Sequence, residues 1–251
     1  MKKRTKAVKM ASTDLPSFYC PDIETSPVLS VEESGHAVKV LRLQIGSQCN
    51  VLDGKGRMYT CSLAEADPKA AVLSINSVIR EVDPKELPRC VICMAPTKNR
   101  DRTEWFVEKA VELGVTDIVL LQCERSEREK ISMERLEKIM VSAMKQSRHL
   151  VLPSISIGLS VEDVCTKWTK INQKFIAYCA ETYPKKEIAS AMIAGVDSII
   201  MIGPEGDFTD AEVKNAVEYG YTPVSLGDYR LRTETAALYA LSSFRFINDR
   251  K

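Results

Sequence analysis

Long apolar runs are missing from this 251-residue chain, and no stretch approaches the length needed to span a bilayer. The basic opening, MKKRTKAVKM, leads into ASTDLPSF without the apolar core of a secretory signal. A cytoplasmic protein is therefore expected, with residues 1–16 as a solvated basic tail or the product of a start site assigned too early. An excess of one charge is missing too: 35 Lys and Arg against 34 Asp and Glu give a formal net charge of +1. Any RNA contact must then rest on locally clustered basic residues rather than on a global field. Histidine is scarce, and His36 and His149 have no paired ligand spacing, so neither a metal nor a catalytic histidine is expected. The close pair Cys90 and Cys93 lacks the second pair that a zinc site needs. The eight cysteines are scattered singly, mostly in apolar surroundings such as SQCNVLD and FIAYCAE, and read as reduced and structural. No G-x-G-x-x-G follows the first sheet strand and there is no G-x-x-x-x-G-K-[ST], which leaves a Rossmann site and a P-loop unsupported. Internal repeats and low-complexity segments are absent as well.

What is present divides the chain by texture. Residues 17–82 are strand-rich with short turns. NVLDGKGRMYTCSL reads as a hairpin around Asp53-Gly54-Lys55-Gly56, and AAVLSINSVIREV as a further strand. Before the hairpin, SVEESGHAVKVLRLQIG should form a short helix with Ala37, Val40 and Leu41 inward and Lys39 and Arg42 near the surface. Residues 83–89, with two prolines and mixed charge, make a linker. From residue 90 to 251, the apolar strands VICMA, DIVLL, FIAYC, SIIMI and PVSL alternate with helical segments near 102–114, 133–147, 161–170, 209–219 and 234–248. That alternation predicts an α/β domain with a parallel sheet flanked by helices.

Two late glycine loops carry the chemistry. In IGPEGDFTDAEV, Gly203 and Gly206 bracket Pro204-Glu205 directly after a strand, and Thr209 with Glu212 forms a capping box. Such a loop is ordinary strand-to-helix punctuation, except that Glu205, held between glycines, has no packing role. In LGDYRLRTETAAL, Thr233 is placed to cap the last helix and Glu234 to sit in its first turn. Arg230 and Arg232 remain unexplained, because a cation is disfavoured near a positive helix terminus. An anion nearby, whether Glu205, Glu234 or a phosphate, would resolve that conflict.

These two segments closely resemble the signature motifs of the RsmE family, 16S ribosomal RNA methyltransferases that act on N3 of a uridine and belong to the SPOUT superfamily. The likeness extends through FYCPDI, HAVKVLR, DGKGRMYTC, KNRDRTEWFVEKAVELGV, QSRHLVLP and CAE, in the same order, and spans residues 17–248. It implies a small PUA-like β-barrel domain followed by a SPOUT-type parallel sheet with a C-terminal trefoil knot. It also implies S-adenosylmethionine as cofactor, 16S rRNA as substrate, free or within the small subunit, and a homodimer. By the same resemblance, Gly203, Pro204, Glu205 and Gly206 form one wall of the cofactor site and Leu226 and Gly227 the other. Leu231 and Thr235 lie close by, and Glu181, ending its strand at the same sheet edge, faces the ribose.

The chemistry implied is an in-line displacement in which N3 loses a proton before it attacks. Arg232, and with it Arg230, would stabilise the uridine anion, while Glu234 would accept the proton or orient Arg232. RNA contacts are expected from Arg42, Lys98, Arg102, Lys109, Arg125, Gln146 and Arg148, with Arg100 beside them. The chain departs from the family pattern at Asp207, where a second glycine is common, at Lys145, where a glutamate often stands, and in lacking the glycine usual before Arg148. Two other readings share these features: another SPOUT methyltransferase acting on a tRNA base or ribose, and a non-catalytic ribosome-assembly factor. The R-L-R-T-E-T string argues against the first; intact Glu205, Arg232 and Glu234 argue against the second.

Overall fold

A computed structural model of the protein describes residues 15–126 and 131–249. The tail expected over residues 1–16 lies, but for Leu15 and Pro16, outside them. The chain divides into two compact units, Met1–Asp83 and Pro84–Lys251.

The first unit is a four-stranded sheet in the order β1-β2-β3-β4: Ser17–Tyr19, Gln48–Leu52, Arg57–Glu65 and Val72–Glu81. The hairpin β2–β3 forms where the alternation placed it, and Asp53 closes its turn, with Oδ1 accepting from the amides of Lys55 at 2.7 Å and Arg57 at 2.9 Å. Phe18, Val51, Tyr59, Cys61 and Leu63 fill the core. The ladders leave β1 and β4 at the two edges of the run, with a single bridge from Val28 to Val72. Between β1 and β2, α1 (Val31–Gly35) is capped by Ser30 and passes straight into a π-helical turn, His36–Val40. Ala37 is buried as expected, but Val40 is 65% exposed and Leu41 40%. The wider turn is the reason: Leu41 N–H reaches back to His36 O at 2.9 Å, so the side chains fall out of the 3.6-residue period that placed them inward. Lys39 and Arg42 are exposed.

In the second unit seven parallel strands run in the order β7-β6-β5-β10-β8-β11-β9. They are, in chain order, β5 (Cys90–Met94), β6 (Asp117–Leu121), β7 (Ser154–Leu159), β8 (Gln173–Ala177), β9 (Lys186–Glu187), β10 (Ser198–Ile202) and β11 (Thr222–Ser225). The helices are α2 (Arg100–Glu112), α3 (Met133–Ser147), α4 (Val161–Lys167), α5 (Ile188–Ala191), α6 (Asp210–Glu218) and α7 (Thr233–Asn248). Both faces of the sheet are covered, as a parallel sheet requires. Val91, Cys93, Val119, Ile199 and Met201 pack with Val164 and Trp168 of the α4 segment and Val213 and Ala216 of α6. The alternate residues Ile92, Met94, Ile118 and Ile200 are equally buried, on the side where α2 and α7 meet.

At the amino ends of the strands, Asp117 ties three of them together. Its carboxylate accepts both Nε and Nη2 of Arg89 at 2.8 Å, Ser154 Oγ at 2.7 Å and Thr116 Oγ1 at 2.9 Å. All eight cysteines are free, and Cys179 alone is exposed. Burial pushes the Cys61 and Cys123 thiols up to about 12. Among the described residues no helix is long and apolar enough to cross a membrane.

Candidate active site

The strands β8, β10 and β11 lie side by side and end together, and the loops that follow them enclose a cavity of about 1090 Å³. A crevice at the carboxyl ends of parallel strands, beside the point where strand order reverses, is the usual ligand position in such a sheet.

The loop after β10 supplies Gly203, Pro204, Glu205, Gly206 and Asp207 to the lining. Its shape is determined by the residues below it. Phe208 is buried beneath Gly203, and a Cβ on that glycine would meet the phenyl ring at 3.0 Å. Close approach here is thus required by the core. Asp207 takes a left-handed φ of 62°, where the common glycine would be relaxed, and its carboxylate compensates. Oδ2 accepts from Cys179 N at 2.8 Å and Oδ1 from Phe208 N at 2.9 Å, latching this loop to the one after β8. Thr209 and Glu212 form the expected capping box at the start of α6. Arg125 Nη1 braces the loop from behind, donating to Gly206 O at 2.9 Å. Replacing Gly203 with alanine should cost about 1–3 kcal/mol through the clash with Phe208, read as a lower urea midpoint at unchanged slope.

The loop after β8 supplies Tyr178, Cys179, Glu181 and Lys185. Glu181 does not end its strand as expected. β8 stops at Ala177, and the turn beyond it is tied by Tyr183 N–H donating to Tyr178 Oη at 2.8 Å. The Glu181 carboxylate is held by Lys185, whose Nζ lies 3.0 Å from it, 3.0 Å from Cys179 O and 3.1 Å from Ala180 O. The i,i+4 spacing of Glu181 and Lys185 was the available signal for this ammonium.

The third loop supplies Leu226, Gly227, Asp228, Tyr229, Arg230, Leu231 and Arg232. Gly227 has φ of 101°, and its N–H donates to Ser225 Oγ at 3.2 Å. Leu226 and Leu231 are half-buried, while Arg230 and Arg232 are exposed and Tyr229 is 87% exposed. Thr233 does not cap the last helix. It is already the first residue of α7 and buried, so Arg232 occupies the cap position without a side-chain hydrogen bond. Glu234 is buried at 5% exposure, and its Oε2 has no hydrogen-bond partner. Thr235 is exposed and, like Glu234, is not part of the cavity wall.

Neither arginine of this loop pairs with Glu205 or Glu234. The cation that does is Arg102 of α2, which lines the cavity with Nη1 4.0 Å from Glu205 Oε1 and Nε 3.8 Å from Glu234 Oε1. The other residues expected to touch RNA lie outside the cavity wall. Lys109 is held between Glu108 at 2.7 Å and Glu112 at 2.8 Å. Arg125 is engaged by the loop it braces, and Lys98 is exposed just ahead of α2. Gln146 is near the end of α3, and Arg148 is its left-handed C-cap at φ 57°. Arg42 belongs to the first unit.

The family profile described as an RNA methyltransferase domain matches residues 84–245, and that of an RNA methyltransferase PUA domain matches residues 29–76. Ribosomal RNA small subunit methyltransferase E of Bacillus subtilis is 30% identical over 239 residues, covering 89% of this chain and 92% of that protein. The chain belongs to the RsmE family of ribosomal RNA methyltransferases. Among solved structures of similar proteins, a probable rRNA-methyltransferase from Porphyromonas gingivalis is 40% identical, with a TM-score of 0.87 over 94% of this chain and 99% of that one. The small subunit methyltransferase E of Neisseria gonorrhoeae, solved bound to S-adenosyl methionine, is 25% identical, with a TM-score of 0.76 over 94% and 100% of the two chains. The parallel sheet and the PUA segment seen here are thus those of an RsmE methyltransferase, and both loops whose motifs carry the family resemblance line the cavity.

Proposed function

We propose that this protein transfers a methyl group from S-adenosylmethionine to N3 of a uridine in 16S ribosomal RNA, at the cavity beyond β8, β10 and β11. The observation that carries the reading is an unmet positive charge. Arg230 and Arg232 stand exposed in the cavity lining with no carboxylate paired to them among the described residues. That rim awaits an anion, and a uridine losing its N3 proton supplies one.

The residues present fit the cofactor. The cavity has the size of a site for a nucleoside-containing ligand. Its apolar wall of Ala177, Ile202, Val224, Leu226 and Leu231 suits the flat adenine, and Glu181 suits ribose hydroxyls. Gly203, Pro204, Glu205 and Gly206 form the facing wall, with Gly227 at the turn and Thr235 beyond. When bound, S-adenosylmethionine supplies an electrophilic methyl whose carbon–sulfur bonding pair returns to sulfur as the new bond forms. The chain's own part is to hold N3 in line and to stabilise charge spreading onto the uracil oxygens through Arg232 and Arg230.

Three wider features belong to the same reading. The crossing of the 203–208 and 226–232 loops forms a trefoil knot. Two chains pair as a homodimer in the cytoplasm, so that the PUA-like unit of residues 17–82, joined through 83–89 to the catalytic unit of 90–251, grips RNA for the partner's site. Arg42, Lys98, Gln146 and Arg148 contact the RNA backbone. In titration calorimetry, wild-type protein should bind S-adenosylmethionine with 1:1 stoichiometry per chain, and Glu181→Ala should weaken that binding about tenfold by leaving hydroxyls unpaired. Mass mapping of 16S rRNA from a deletion strain should lack one N3-methyluridine; a full set would overturn the substrate.

A further inference from the structure

We infer that Arg102 and Glu205 clamp the amino-acid end of S-adenosylmethionine, the arginine taking its carboxylate and the glutamate its ammonium. This rests on the proposed function and gives Arg102 a role other than the RNA contact expected from sequence. Both side chains line the cavity and are accessible there, at 35% and 60% exposure. Arg102 Nη1 lies 4.0 Å from Glu205 Oε1, and its Nε lies 3.8 Å from Glu234 Oε1. Both separations exceed hydrogen-bond length, so the guanidinium keeps N–H donors that neither carboxylate has taken. Its fork matches an incoming carboxylate, and the Glu205 carboxylate matches an incoming ammonium.

An α-amino acid carries its cation and its anion on one carbon, so the wall that holds it needs the opposite pair side by side. Lys185 and Glu181 also line the cavity as such a pair, but their charges are spent. Lys185 Nζ donates to Glu181 Oε1 at 3.0 Å, to Cys179 O at 3.0 Å and to Ala180 O at 3.1 Å, which uses all three of its protons. Arg230 and Arg232 have no carboxylate within ion-pair reach among the described residues, so they answer an anion and not an ammonium. Arg102 with Glu205 offers both charges, close together and not hydrogen-bonded to each other. Their spacing is built in. Glu205 stands on a loop that Asp207 and Arg125 hold in place, and Arg102 projects from α2 with Nε turned to the buried Glu234 and Nη1 to Glu205.

Titration calorimetry with four ligands tests the clamp. S-adenosylmethionine and S-adenosylhomocysteine carry both charged groups of the amino-acid end, decarboxylated S-adenosylmethionine keeps only the ammonium, and 5′-methylthioadenosine has neither. Glu205→Gln should weaken the first three about tenfold to a hundredfold and leave methylthioadenosine within about twofold. Arg102→Met should weaken S-adenosylmethionine and S-adenosylhomocysteine by a similar factor, but leave both the decarboxylated form and methylthioadenosine within about twofold. Equal losses for methylthioadenosine would make the pair a support for the loops and overturn the inference. Unchanged affinity for S-adenosylhomocysteine in both variants would overturn it too and return Arg102 to RNA contact. Arg102→Met leaves Glu234 buried without its cation, so Arg102→Lys, which keeps the charge and loses the fork, is measured beside it. If neither arginine variant folds, the exposed Glu205→Gln decides by the same comparison of ligands. A wild-type protein that binds these ligands but methylates no uridine would instead overturn the proposed function.

Discussion

Replacing Arg232 with alanine should lower turnover about 10²–10³-fold while leaving S-adenosylmethionine affinity within about twofold. The argument is electrostatic. Deprotonated uracil carries its charge on oxygens flanking N3, and a guanidinium about 4 Å away is worth roughly 4 kcal/mol at an effective dielectric of 20. No carboxylate of the described chain competes for that charge, since Glu205 and Glu234 are within ion-pair reach of Arg102 instead. Arg232 is exposed in the free protein, so the interaction reaches full strength only when RNA covers the rim. Single-turnover transfer and cofactor calorimetry on one preparation separate the outcomes. A loss of cofactor affinity would move Arg232 to the cofactor wall, and an unchanged rate would remove it from the chemistry.

The largest loss of stability is expected at Asp117. Asp117→Ala removes four hydrogen bonds from a carboxylate that is 6% exposed. Breaking such a pair costs about 3 kcal/mol, near the low end of the range for buried pairs because the Arg89 side chain, 46% exposed, can still be hydrated. For a chain of this size that is roughly a 10 °C fall in Tm. The same site gives wild-type stability a pH signature. Burial raises the Asp117 pKa, but the bonds from Arg89, Ser154 and Thr116 outweigh it and hold the carboxyl below its ordinary value. A depressed carboxylate contributes stability that is present above about pH 4, its unfolded value, and is lost as pH falls through the lower folded value. Thermal melts between about pH 2 and 6 should therefore fall more steeply for wild type than for Asp117→Asn. Parallel curves would mean that other carboxylates set the acid limit.

The strands and helices of the second unit were legible because their signals are local and repeated. α3 spans the 133–147 read from its apolar face, since Leu136, Met140 and Ala143 are buried together and Ser132 caps it. β7 escaped notice as an edge strand in which Ser154, Ser156 and Gly158 interrupt the apolar run. Val40 and Leu41 were misplaced because a π-turn changes the period, which no periodicity argument anticipates. At the site, the glycine loops could be found from turn chemistry, and both line the cavity. Arg102 could not be assigned, because α2 follows β5, while its partners follow β10 and β11, and only the strand order brings them together. Lys109, seven residues further along α2, reads the same in sequence and is tied to its own helix.

That strand order also dictates a schedule for biosynthesis. β5, β6 and β7 are made consecutively and can pair as they leave the ribosome, yet the other edge of β5 takes β10, so Ile92 waits for Ile200. Until then the nascent sheet presents an apolar edge, the kind of surface that recruits chaperones or another chain. Translation rate through the segment between β7 and β10 should therefore influence the yield of native protein more than any pause after β11, because the central strand closes that edge.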